Sequence, residues 1–237
     1  MNETEAKWLE YACGIATCPD SHRAKCIALG AATSQPGCCV GNDLRWPGYL
    51  GANYRPGVGV LFVGAVHGAE SPDASDDLKR TSDALTNLLK GWTAQPRSRS
   101  RDEQFLRDFQ RAFVKAAVLW KRWKVFAKIL EALKLSIEQV AYTNLAKCKA
   151  YDAGYKHIKL CQSEFAPISS LVQTLNPRAI FTCVLPAALG GRLGVQWCDS
   201  RRECPPVYPF DGRTQMDGYG RKFEIWMKDV AGKLLAT

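Results

Sequence analysis

His67, Glu70 and Asp73 stand close together in one Gly-rich stretch, Gly57 to Asp73, which reads GVGVLFVGAVHGAESPD. A histidine and two carboxylates at such spacing can move protons, orient a water or stabilise a developing cation. Asp211 and Arg213 open a second glycine-containing polar loop that runs to Gly220 and add an acid and a cationic donor. A third group lies in YTNLAKC, where Asn144, Lys147 and Cys148 are followed downstream by Cys161. An amide such as Asn144 offers both a donor and an acceptor. Thiolates suit iron–sulfur centres, which need four ligands.

The chain of 237 residues holds ten cysteines. In a reducing compartment disulfides are not expected, so the cysteines point to a metal or an iron–sulfur centre, with some serving as small buried hydrophobes. Zinc on the same ligands is the alternative. Cys13, Cys18, Cys26, Cys38 and Cys39 all fall in the N-terminal part. Residues 14 to 57 carry little periodicity, and a metal centre would tie such a segment down.

The elements that must position these residues follow from the pattern. Val58, Val60, Leu61, Phe62 and Val63 form a short β-branched run bounded by glycines, which reads as a buried parallel strand. Its carboxyl end opens into the polar loop, the place where open α/β sheets put ligand sites. Further strands are expected at 140–144, 178–184 and 205–209, and helices at 4–13, 76–92, 103–134, 162–175, 186–193 and 219–235. In the longest of these, Phe105, Phe109, Phe113, Trp120 and Trp123 recur at helical steps opposite a basic face with Arg107, Arg111, Lys115 and Lys121. The alternation of strands and helices predicts an α/β fold, a three-layer α/β/α sandwich around a central four-stranded parallel sheet. One domain, 1–237, accounts for the chain, with a helical basic insertion at about 75–135.

Composition narrows the function classes. Hydrophobic residues make up 46% of the chain, enough for a core, and no apolar run approaches the roughly 18 residues that span a bilayer. The N-terminus, MNETEAKWLEYA, is acidic and amphipathic, unlike a secretory signal. A cytoplasmic monomer without membrane contact is the expectation. The net charge of +9, from 32 Lys and Arg against 23 Asp and Glu, favours a polyanionic partner, with nucleic acid first. The glycine loop has neither the Lys and spacing of a P-loop nor the G-x-G-x-x-G of a dinucleotide fold.

Taken together, VLFVGAVHG, YTNLAKC, Cys161 and LNPRAIF occur in the order of motifs in the iron–sulfur uracil-DNA glycosylases, and the chain resembles that family over most of its length outside the insertion. The resemblance implies base excision from double-stranded DNA: a nucleotide is flipped out, its base is read in a pocket, and the glycosidic bond is hydrolysed. It implies that Asn144 reads the base, with Gly64 and Ala65 beside it, and that Cys148 and Cys161 ligate a 4Fe-4S cluster. Cys18 and Cys39 are taken as the other two ligands. Arg213 and Lys147 are assigned to DNA contact.

The chain also departs from the family pattern. The acid after the first loop glycine is replaced by Ala65, and the later H-P-[SA] motif gives way to Pro209, Phe210, Asp211, Gly212, Arg213. Acid chemistry would then fall to Asp73, Asp211 or Glu70, with His67 as a donor. Smaller residues at the pocket floor make room for a bulkier base, such as the glucosylated hydroxymethylcytosine of some phage DNAs, and its removal would serve phage defence. A catalytically silent DNA-binding module, or a plain uracil-excising repair enzyme, is the competing expectation.

Overall fold

A computed structural model describes residues 1–16, 19–33, 47–68, 75–119, 123–150, 155–182, 195–198, 203–209 and 221–236. The chain begins with α1 (Glu3–Ala16) and α2 (Asp20–Thr33), then β1 (Tyr49–Leu50) and β2 (Val60–Gly68). Three helices follow, α3 (Asp76–Thr93), α4 (Arg99–Ala117) and α5 (Trp123–Ala132), and a short 3-10 turn (Ile137–Gln139) leads into β3 (Val140–Ala150). After it come α6 (Tyr155–Glu164), α7 (Ile168–Leu175), β4 (Ala179–Thr182), β5 (Val207–Pro209) and α8 (Arg221–Leu235). The helix expected at 186–193 lies outside the described residues.

Among the described residues the strands form one five-stranded sheet in the order β1-β3-β2-β4-β5. β3, β2, β4 and β5 run parallel, and the two-residue β1 adds an antiparallel edge that the sequence reading lacked. The chain steps from β2 to one side to make β3, then crosses back over β2 to make β4. Such a reversal is where open sheets leave a crevice at the carboxyl ends of their strands. β2 and β3 also run further than expected and stay paired as far as Gly68 and Ala150, with a register shift between Val66 and His67.

Alternate residues of β2 enter two separate cores, as the period of a strand requires. Leu61 and Val63 join Trp8, Leu89, Phe105, Phe109 and Phe113 from α1, α3 and α4. Val60 and Phe62 join Phe126 and Ile129 from α5 and Phe223 and Met227 from α8. This division explains why the single helix expected over 103–134 is two. Its first half packs into one core and its second half into the other, which one straight helix cannot do.

Local chemistry fixes the helix ends. The Ser75 and Ser98 side chains accept from the backbone of Leu78 and Arg101 at the starts of α3 and α4. The two helices are held together by Trp92 stacked on Phe105 at 4.2 Å and by buried Asp102, which accepts from Trp92 Nε1 at 2.8 Å and from Arg97 Nη2 at 2.9 Å. The helix expected over 162–175 is likewise divided, because Pro167 is extended and stands at the N-cap of α7. Gln162 secures the break: its amide donates to Leu145 and Ala166 carbonyls and accepts from Ile168 N–H. Asn176, in the left-handed region at φ 43°, ends α7 just before Pro177. The segment read as aperiodic contains α2, with His22 and Cys26 buried one turn apart.

Among the described residues no helix is long and apolar enough to cross a membrane. Cys198 and Cys204 form a disulfide with Cα atoms 5.7 Å apart, which corrects the expectation that disulfides are absent. A separation of six residues brings the pair within the reach a bridge needs.

Candidate functional site

The site is built where β4 ends and β2 and β3 continue. Val63 is the last residue of β2 paired with β4, opposite Thr182, and the next pair on the other side is Gly64 with Asn144. Asn144 is fully buried. Its Oδ1 accepts from the Tyr142 hydroxyl at 3.0 Å, while its Nδ2 is buried without a hydrogen-bond partner. A buried amide donor left unpaired costs about 1–3 kcal/mol, so a protein that keeps one has a use for it or a ligand to meet it.

Gly64 makes this arrangement possible. A Cβ on Gly64 would stand 2.2 Å from Asn144 Oδ1 and 3.0 Å from the Tyr142 hydroxyl. The Tyr142 ring is set by Phe126, edge-on at 5.8 Å, and by Phe113 at 6.0 Å. Tyr142 is the residue that sequence reasoning missed. The two-residue period of the strand, which puts positions 142 and 144 on one face, was the available signal.

The opposite face of β3 carries Thr143, Leu145 and Lys147. Lys147 is fully buried, donates to the Thr143 hydroxyl and lies 5.7 Å from the centre of the Tyr11 ring. It therefore does not offer its ammonium to a phosphate at the surface, and the DNA contact expected of it is corrected. Burial pushes its pKa down to about 8, against a smaller opposing pull from Cys161. Cys161 on α6 is itself buried, with Ile15 and Ala166 around it. Burial, and then the nearby Cys161, push the Tyr11 hydroxyl up, and that hydroxyl has no hydrogen-bond partner.

The surroundings of Cys161 bear on the expected cluster. Cys161 is buried and close enough to the Lys147 ammonium for the two to interact, and a cysteine is the ligand type an iron–sulfur centre takes. Cys148 lies on β3, which packs against α6. Cys18 and Cys39 lie outside the described residues, and among the described residues no three His, Cys, Asp or Glu side chains converge to hold a metal ion. Cys26 is buried with its Sγ 3.5 Å from His22 Nε2, and Cys13 is partly exposed.

Of the proposed acid–base residues, Glu70, Asp73 and Asp211 lie outside the described residues, as does Arg213. The backbones of Ala65 and His67 belong to β2, where His67 pairs with Lys149. The basic face of α4 exposes Arg107, Arg111 and Lys115. Part of its charge is met within the helix, since Arg111 pairs with Asp108 at 3.1 Å and Arg99 with Glu103 at 3.2 Å.

A comparison with models of known protein families finds no match for the chain, and none of the curated proteins matches it.

Proposed function

We propose that the protein is a DNA glycosylase that turns a modified or damaged base out of double-stranded DNA and hydrolyses its N-glycosidic bond. The observation that carries this reading is the Asn144 amide, buried at the carboxyl end of a central strand with its Nδ2 donor unmatched. A flipped base that enters the crevice supplies the acceptor the amide lacks. The motif order GAVHG, TNLAKC, Cys161 and the net charge of +9 agree with that use.

In the reaction the C1′–N bond breaks, the electron pair leaves with the base, and water oxygen bonds to C1′. One proton of the water stays on the new C1′ hydroxyl, the other passes by way of the carboxylate to the departing nitrogen, and an abasic site remains. Asp73 or Asp211 stabilises the cationic sugar and orients the water, with Glu70 as a further acid. His67 and Arg213 donate to the departing base. The small residues Gly64 and Ala65 suit a large pyrimidine such as glucosylated hydroxymethylcytosine in phage DNA, and on this reading the enzyme acts in the cytoplasm as a monomer in phage defence. Two cores on opposite faces of the sheet support a three-layer α/β/α sandwich. A 4Fe-4S cluster, when bound by Cys18, Cys39, Cys148 and Cys161, supplies structural cross-linking of the N-terminal region to β3 and α6.

Duplexes carrying one uracil, hypoxanthine, hydroxymethylcytosine or glucosylated hydroxymethylcytosine, incubated with the protein and probed with alkali, test the reading. Strand breaks at one of these bases, absent with Asn144→Ala, support it. Intact strands throughout, with salt-dependent DNA binding retained, would identify a silent DNA-binding module instead.

A further inference from the structure

The hydroxyl of Tyr142 holds the Asn144 side chain. Tyr142 and Asn144 project from the same face of β3, and the hydroxyl donates to Asn144 Oδ1 at 3.0 Å. The position of the hydroxyl is set by packing, because Phe126 and Phe113 fix the ring from two sides. Gly64 leaves the space in which hydroxyl and amide oxygen meet. With Oδ1 turned toward Tyr142 and Gly64, Nδ2 is the part of the amide left for a ligand, and it is buried without a partner.

We propose that Tyr142 is a positioning residue that sets specificity: it locks the Asn144 amide with its N–H pair toward the ligand, so that the site takes a base edge with two adjacent acceptors in preference to an imide edge. The inference rests on the reading of Asn144 as the residue that meets the base. A cytosine-type ring presents N3 and O2 side by side, and both accept. A uracil-type ring places N3–H between its carbonyls, so that a donor faces a donor, and a site built on hydrogen bonds rejects such a mismatch strongly. Without the hydroxyl, the terminal torsion of the asparagine has two comparable wells. The amide can then turn and offer Oδ1 to N3–H.

Tyr142→Phe keeps the packed ring and removes only the hydroxyl. Single-turnover kcat/KM is measured for wild type and variant on duplexes with one hydroxymethylcytosine, one glucosylated hydroxymethylcytosine or one uracil. The preference of the wild type for the cytosine-type bases over uracil is expected to fall about tenfold in the variant, or about 1.4 kcal/mol. Affinity for unmodified duplex is expected to stay within about twofold, since no phosphate contact is touched. An unchanged preference, or a wild type that prefers uracil, overturns the inference while base excision stands. A wild type that releases no base refutes the glycosylase reading, and the lock is then read in ¹⁵N-labelled protein. Tyr142→Phe must shift the Asn144 side-chain amide resonances and leave distant ones in place, and an unmoved Asn144 amide overturns the lock.

Discussion

Gly64→Ala is the smallest change that reaches the centre of the site. Its Cβ would lie 2.2 Å from Asn144 Oδ1, where ordinary contact begins at 3.4 Å, so the amide oxygen must retreat by roughly 1.2 Å. The oxygen terminates a side chain and can be displaced, which limits the cost in stability. Overpacking in a filled interior costs about 1–3 kcal/mol, and loss of the Tyr142 hydrogen bond adds about 1 kcal/mol. For a domain of this size about 1 kcal/mol corresponds to about 2–4 °C in Tm. The consequence for function is larger, because a misplacement of about 1 Å at a reacting site can cost about a hundredfold. Base release by Gly64→Ala is therefore expected to fall about a hundredfold, while its melting temperature, followed by circular dichroism, falls by roughly 4–16 °C. Adding Asn144→Ala removes the clash, so the double variant should regain most of the lost melting temperature and no activity. A Gly64→Ala protein with wild-type rate and wild-type melting temperature would refute the close approach of Gly64 and Asn144.

Lys147→Met tests the buried ammonium. The folded-state pKa of Lys147 is lowered to about 8, so its penalty is fully present below pH 8 and is relieved as pH rises toward the ordinary lysine value. Urea unfolding should find the variant at least as stable as wild type at pH 7, with the difference moving in favour of wild type by about 2–3 kcal/mol between pH 8 and 10.5. Asp102→Asn should destabilise by about 1–2 kcal/mol at pH 7, because the buried carboxylate loses its ion pair with Arg97. Burial raises the Asp102 pKa, but the hydrogen bonds from Arg97 and Trp92 outweigh it and hold the group below its ordinary value. That contribution is present above the ordinary carboxylate range and is lost as pH falls through the folded-state pKa, so the two proteins should converge in stability in acid. Anaerobically purified protein should contain iron and inorganic sulfide in equal amounts, and Cys161→Ser should lose both; values near zero in the wild type would reject the cluster.

The central strands were legible because buried parallel strands carry a short continuous run rich in apolar and β-branched residues, as Val60 to Val63 and Ala179 to Thr182 do. Asn144 was singled out by the resemblance of TNLAKC to a family motif, and the strand expected to end there runs on to Ala150. The ends of helices were harder. Phe105 to Leu130 keeps helical spacing throughout, and periodicity carries no mark of the change from one face of the sheet to the other. β1, with two residues, is too short to have a period. The fate of Lys147 was hidden because a lysine in a polar motif reads as surface, whereas strand alternation turns this one beneath α1 and α6. Tyr142 was hidden by its aromatic ring, which reads as core and is core, while its hydroxyl serves the site.

The most direct measurement is of the free base itself. Wild type, Asn144→Ala and a no-enzyme control are incubated with base-modified duplex DNA, and released base and abasic sites are quantified together by mass spectrometry. The account predicts one free base for each abasic site with wild type, and neither with Asn144→Ala. Release of no base from any duplex, or equal release by Asn144→Ala, would contradict it.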